Sequence, residues 1–367
     1  MTSIELGGNF CLSDRQIERL NIETDSRYSN NFLCWNDVLY THGGRSAIRA
    51  AVNHLGLSGK EVLIPNFTCY SIIDAFLACD CKCSFYKLNR NLTVDIPDLI
   101  KLLSERRPSI LFTCSLFGFD TLAEMRPKYK EIQAMGVKII EDATHSVFGI
   151  KNDKRADVIV CSLRKWLEIP DGGFVWGLKD FNSDKFYQES NEPIDIVNNF
   201  VKASKYKLKY LRNGDEELKS FFLPMFYKNN DLFDDCSRIN RMSNFSHDVL
   251  MHADLATISE QRRKNYLYLL ENIKNPIVEF IFDELPNYVV PLYCPVYIKD
   301  GKRGELQKYL IDSKLYCPII WPTPEQVLGA YKKDTIVFQK DILSLVIDQR
   351  YDVTDIMRLA DKINNFK

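Results

Sequence analysis

The sequence has almost no net charge, no apolar run long enough to cross a bilayer, no internal repeat and no low-complexity tract. Its 48 basic residues are balanced by 49 acidic ones, leaving a charge of -1, so it lacks the long-range basic field of a nucleic-acid binder. Any anionic ligand has to be met by a local site. The first ten residues, MTSIELGGNF, carry no basic segment followed by an apolar core, and without a membrane span the expected compartment is the cytoplasm. Zinc spacing is missing too. Eleven cysteines are present, but the cluster CDCKCSF (79–85) runs Cys-x-Cys-x-Cys, with no Cys/His pair nearby to complete a metal site. The others sit mostly in apolar segments such as VIVCSL and LFTCSL, where cysteines act as reduced core thiols of a cytosolic protein. What is plentiful is core material: 367 residues, 46% of them hydrophobic, suit a large globular protein of about two domains.

Between residues 45 and 177 the apolar pattern switches repeatedly between helical and strand periods. Helices are expected at 45–56, 70–79, 95–105 and 122–136, and strands at 61–65, 83–88, 109–114, 137–142, 157–162 and around GGFVW (172–176). This alternation implies a largely parallel sheet between helices. Residues 1–185 are therefore read as a large α/β domain. Residues 186–250 are a connecting region, irregular apart from a helix at 197–211. Residues 251–367 are a small α+β domain, opened by a long helix at 254–273 in which Ala256, Ile258, Tyr266, Leu269 and Leu270 could supply the apolar stripe.

In a parallel α/β sheet ligands gather at the carboxyl ends of the strands, and four features fall there. THGGRSAIRAA (41–51) runs two glycines into a helix start, a turn that can cradle phosphate on unpaired N–H groups at the positive end of the helix dipole. PNFTCYS (65–71) leaves a strand and sets Phe67, Thr68 and Tyr70 at the next helix start, where an aromatic could stack on a flat ring or simply pack in the core. IIEDATHS (139–146) ends a buried strand in Glu141 and Asp142, with His145 just beyond. A carboxylate there can pair with a protonated ring nitrogen or cap a helix. The fourth is Lys165 in CSLRKWLEIPDGGFVWG (161–177), a lysine between two buried strands. A lysine kept partly dehydrated can lose its proton near neutral pH and condense with an aldehyde. Phosphate cradle, stacking aromatic, acid and amine are together the parts of a pyridoxal-phosphate site.

With these residues in place, the sequence resembles the DegT/StrS-type sugar aminotransferases, which are fold-type-I pyridoxal-phosphate enzymes of aspartate aminotransferase-like architecture. In that family a glycine-led phosphate turn, a P-x-x-T segment, an E-D-A-x-(Q/H) segment and a lysine followed by Gly-Gly occur in this order. Here they are Gly44-Arg45-Ser46, Pro65 to Thr68, EDATH (141–145), and Lys165 with Gly172 and Gly173. The resemblance continues more loosely through RINRMS (238–243) and QRRKNY (261–266). It implies pyridoxal 5'-phosphate as cofactor, Lys165 as the imine-forming lysine, Asp142 on the pyridine nitrogen, and His145 near the phenolic oxygen or the ring face. Gly44, Arg45, Ser46 and Ser162 would hold the phosphate, and Asn240 would reach the cofactor of the other subunit of a homodimer. The substrate would be a keto-sugar nucleotide of surface-polysaccharide synthesis, with glutamate as amino donor. Arg241, Tyr316 and Trp321 are the expected substrate contacts, the last two as a rigid wall among prolines or as an aromatic plug in the domain core. Three departures mark a divergent branch. Ser162 lies three residues before the lysine where the family's serine lies five before, PDGG replaces G-E-G-G, and Cys69 stands where the stacking aromatic belongs, leaving Tyr70 or Phe67 to substitute. Competing readings are a dehydratase, a lyase, an amino-acid aminotransferase, or a non-catalytic sensor or scaffold. The dehydratases carry histidine in place of the lysine, and a scaffold needs no such amine.

Overall fold

The computed structural model describes residues 4–19, 38–149, 155–234, 239–331 and 339–367. Its strands are β1 (Leu6–Gly7), β2 (Leu39–Thr41), β3 (Glu61–Pro65), β4 (Lys82–Tyr86), β5 (Ile110–Cys114), β6 (Lys138–Asp142), β7 (Val158–Ser162), β8 (Gly173–Trp176), β9 (Val278–Phe280), β10 (Cys294–Ile298), β11 (Leu315–Tyr316) and β12 (Ile342–Leu345). Strands β2 to β8 form one seven-stranded sheet in the order β2-β8-β7-β6-β5-β3-β4. Only β8 runs antiparallel to its neighbours; the remaining pairings are parallel. This is the mostly parallel sheet that the alternation of helical and strand periods implied.

Alternation of side chains across the pleat splits the core into two faces. Leu63, Leu111 and Ile139 join a cluster that continues into Tyr266, Val296 and Ile356 of the carboxy-terminal domain. Their neighbours Ile64, Phe112 and Ile140 lie on the other face, under Ala47, Ile48 and Phe76 of the helices Gly44–His54 and Tyr70–Leu77. The same alternation sends Glu141 and Asp142 to opposite faces. Glu141 is held by Arg126 (Nη2–Oε1 2.7 Å) and by the hydroxyl of Tyr129 (2.9 Å), and it serves the fold. Asp142 is left for the helix side.

The structure departs from the sequence expectations in four places. The helix expected over 122–136 is a short turn, Arg126–Lys128, followed by Tyr129–Ala134, because Pro127 can open a helix but not continue one. The connecting region is more helical than expected: the helix read at 197–211 is present as Ile194–Asn213, and it pairs with Lys219–Asp234 and is flanked by Ser183–Glu189 and Asn244–Met251. The amino-terminal segment stands outside the large sheet, with β1 paired in parallel with β11. Finally, Ala256 is exposed, and the buried face of the helix Leu255–Asn272 contains Arg262 and Asn265 beside Ile258, Tyr266 and Leu269.

The Gly-Gly pair has a packing reason. A Cβ on Gly173 would lie 2.6 Å from the carbonyl oxygen of Cys161 and 2.7 Å from the carbonyl carbon of Gly43. Only a bare backbone lets the turn after β2 settle on the end of β7. Asp171, just before it, is buried and accepts from the Ser243 amide (2.7 Å), the Ser243 hydroxyl (2.5 Å) and the Ser246 hydroxyl. It thereby pins the start of Asn244–Met251.

Candidate active site

Lys165 closes a short 3-10 turn, Leu163–Lys165, that leaves β7. Leu163 donates its amide to the Gly172 carbonyl at 3.0 Å. The next residue, Trp166, is wholly buried, and its indole N–H donates to the Thr144 carbonyl at 2.6 Å. The tryptophan is therefore the anchor that keeps a half-buried lysine at the sheet end. Lys165 Nζ lies 3.1 Å from His145 Nε2 and 5.0 Å from the ring centroid of Trp321.

Asp142, at the end of β6, accepts the Thr144 amide at 2.8 Å. Burial pushes its carboxyl up from the usual range, opposed by the Thr144 hydrogen bonds and the Lys165 charge. His145 is buried, and desolvation with the nearby Lys165 charge holds its pKa well below the ordinary value. Its Nδ1 accepts the Phe117 amide at 3.3 Å, which leaves Nε2 to meet the Lys165 amine. Trp321 stacks on this ring at 5.1 Å and 23°.

A cavity of about 90 Å³ lies at the start of Gly44–His54, walled by Gly43, Gly44, Arg45, Cys69, Asp142, Thr144, Ser162, Arg164 and Lys165. A Cβ on Gly44 would stand 3.2 Å from that of Ser162, so the cradle is open because this residue has no side chain. His42 forms another part of the wall. Its Nδ1 meets the Ser46 hydroxyl at 2.8 Å, its ring stacks on Phe233, and burial lowers its pKa to about 4. A second cavity of about 450 Å³ shares only Arg164 and Lys165 with the first. Lys165 thus stands at the junction.

Of the residues expected from the sequence, Gly44, Arg45, Asp142, Ser162 and Lys165 come together in the smaller cavity, with His145 and Trp321 against the lysine. Tyr316 lines the larger one and accepts at its hydroxyl from Lys219 at 3.2 Å. Others are elsewhere. Ser46 spends its hydroxyl on His42 and does not line the cradle. Tyr70 is 51% exposed on its helix, and Phe67 is buried against Phe117 and Trp321, so neither takes the stacking position; Cys69 lines the cavity instead. Asn240 gives its backbone carbonyl to the His42 amide at 3.0 Å. Arg241 pairs with Glu192 at 2.9 Å, and neither residue lines either cavity of its own chain. Arg238, which opens the RINRMS segment, lies outside the described residues. Sequence reasoning missed Arg164, His42, Phe233 and Arg262. Only Arg262 left a signal, a charge at helical spacing within an apolar stripe.

The residues around the small cavity suit pyridoxal phosphate by their chemistry. They include a helix start and two arginines for a phosphate, an acid for a ring nitrogen and an amine for an aldehyde. Thr68, next to the cavity residue Cys69, is buried with its hydroxyl lacking any partner among the described residues. No group of histidine, cysteine and carboxylate side chains that could hold a metal occurs among the described residues.

No curated protein matches the sequence. Residues 35–167 match the family model described as aminotransferase class I and II. The sugar aminotransferase CalS13 from Micromonospora echinospora is similar over 100% of both chains, with a TM-score of 0.68 at 12% identity. A DegT DnrJ EryC1 StrS aminotransferase from Brucella abortus is similar over 97% of this chain and 91% of its own, with a TM-score of 0.62 at 18% identity. The ntda protein of Bacillus subtilis, solved with bound cofactor PMP, is similar over 97% of this chain and 78% of its own, with a TM-score of 0.64 at 15% identity. The chain has the fold of these solved aminotransferases, and its residues 35–167 are similar to the aminotransferase class I and II family.

Proposed function

We propose that this aminotransferase domain works with pyridoxal phosphate to move an amino group from glutamate to a keto-sugar carried on a nucleotide, in the synthesis of surface polysaccharide. The observation that carries the reading is Lys165, whose amine stands where a cavity walled by Asp142 and a helix start meets a larger cavity. When bound, the cofactor supplies an aldehyde through which amino groups are exchanged and a ring that draws electrons from the reacting carbon. Asp142 provides the negative charge for a protonated ring nitrogen, and that positive charge would bring the carboxyl, raised by burial, back toward its ionised form. Lys165 Nζ moves the proton at the substrate carbon. His145, neutral and fixed by Phe117 and Trp321, holds that amine in line. Arg45, Arg164 and the amides at the start of Gly44–His54 meet the phosphate.

The sugar part of the reading draws on CalS13, and the larger cavity gives such a substrate room beside the amine. The cytoplasm is the proposed compartment: the nine described cysteines are all free, and among the described residues no helix is long and apolar enough to cross a membrane. A homodimer is part of the same proposal, with Asn240 and Arg241, which lie along β2, offered to the partner's site.

The test is the visible absorbance of the purified holoenzyme. Glutamate should bleach the band, and a keto-sugar nucleotide should restore it much faster than the free keto-sugar or pyruvate does. Equal recovery with pyruvate would make the protein an amino-acid aminotransferase.

A further inference from the structure

Arg262 is 1% exposed, yet it lines the cavity of about 450 Å³ that holds Lys165. Its guanidinium is fixed on several sides. Nε donates to Gln349 Oε1 at 2.9 Å, Nη1 donates to the Leu292 carbonyl at 2.9 Å, and the group lies 4.8 Å from the Trp166 ring centroid. Among the described residues no hydrogen bond uses Nη2, and no carboxylate forms an ion pair with the side chain. The acid in this cavity wall, Asp348, is already taken by Arg350, with Nε to Oδ1 and Nη2 to Oδ2 both at 2.8 Å.

A buried charge without a direct ion pair is costly, and burial pulls the pKa of Arg262 down to about 10 although the charge of Asp348 opposes it. A ligand anion would remove that penalty. The guanidinium is already immobilised, so binding would cost little further side-chain entropy.

We infer that Arg262 anchors an anionic oxygen group of the substrates in the cavity beside Lys165. The inference rests on the aminotransferase reading above and adds to it the residue that holds the substrate's charge. Two sources share this chemistry: the carboxylate of the amino donor and the phosphate of a nucleotide-linked sugar. In either case the anion is held away from the reacting carbon, and Lys165 is left free for proton transfer.

The experiment is calorimetric binding to the cofactor-loaded protein, with three probes that cannot turn over: glutarate, its neutral analogue glutaramide, and thymidine diphosphate. The wild type should bind at least one of the two anions about tenfold or more tighter than glutaramide, as a charge-assisted contact predicts. Arg262→Gln should remove that preference by lowering anion affinity far more than glutaramide affinity, and Arg262→Lys should keep part of it. Loss confined to glutarate assigns the donor carboxylate; loss confined to the diphosphate assigns the sugar nucleotide. A wild type that binds both anions no better than glutaramide overturns the inference, and so does an Arg262→Gln protein that keeps the preference. Should Arg262→Gln fail to hold cofactor, the wild-type comparison and Arg262→Lys still decide. Failure of the aminotransferase reading would show separately, as a visible band that glutamate does not bleach.

Discussion

The indole N–H of Trp166 and the carbonyl of Thr144 are joined at 2.6 Å, while the Thr144 hydroxyl accepts the Ser162 amide at 2.9 Å. The loop that carries Asp142 and the turn that carries Lys165 are therefore one unit. Trp166→Phe keeps most of the packing but leaves a buried carbonyl unpaired, which should cost about 1–3 kcal/mol of stability. Turnover should fall more than cofactor binding does, because the lysine turn loses its tether. Chemical denaturation and steady-state kinetics on the same variant check this; unchanged kinetics would mean that the turn is held some other way.

Lys165→Ala removes the amine at the junction of the two cavities. Loss of the proton-transferring group should lower turnover by about 100- to 10,000-fold, with little change in thermal stability, since the side chain is only half-buried. Borohydride treatment of the wild type followed by peptide mapping should find the cofactor on Lys165 and should find none in the variant. A label on another lysine would contradict the assignment.

Much of this site could be read from order and spacing. Strand ends carrying Asp142 and Ser162, the glycine turn at Gly44 and the lysine before Gly172–Gly173 are local patterns, and the parallel sheet brings local patterns at its carboxyl edge together. Contacts made by segments far apart in the chain left no such trace. Phe233 reaches His42 and Arg164 only because the hairpin Ile194–Asn213 and Lys219–Asp234 folds back over the cradle. The first helix of the pair was expected over 197–211, but Pro224 and the polar run Lys228–Asn230 hid the second. Tyr70 could not be told from Cys69 as a cavity residue, because helix phase at a first turn decides which of two neighbours points inward. Arg262 shares a helical face with Ile258 and Tyr266, and only the surrounding fold reveals that this face borders a cavity.

Gly44→Val tests the cradle. Its Cβ would stand 3.2 Å from Ser162 Cβ, within the space between the helix start and β7. The two γ-methyls would extend further into the same space and crowd out a phosphate. Cofactor affinity should fall about tenfold or more, the equivalent of about 1.4 kcal/mol or more, and the melting temperature of the apoprotein should move little. Titration of apoprotein with pyridoxal phosphate, followed by absorbance, measures the first; unchanged affinity would leave the glycine with a purely structural role.

His42 links the cradle to the pH dependence of folding. Burial holds it at a pKa of about 4, below the value of about 6.5 that a histidine has in an unfolded chain. Between those two values the unfolded state binds the extra proton, so the His42 contribution is complete above about pH 6.5 and is lost as pH falls toward 4. The slope is at most about 1.4 kcal/mol per pH unit. His247, also lowered to about 4 by burial, adds a second contribution of the same sign. Asp171, raised to about 6, acts the other way, its protonated form being favoured in the fold as pH falls below 6. The wild-type profile is therefore a sum of opposing slopes, and the informative quantity is a difference. The stability of the wild type minus that of His42→Gln should be constant above about pH 6.5 and should shrink by about 1–3 kcal/mol between pH 6.5 and 4.5. Urea denaturation across that range measures it for both proteins. A pH-independent difference would mean that His42 titrates alike in the folded and unfolded chains, and its burial against Phe233 and Ser46 would then not be what keeps it neutral.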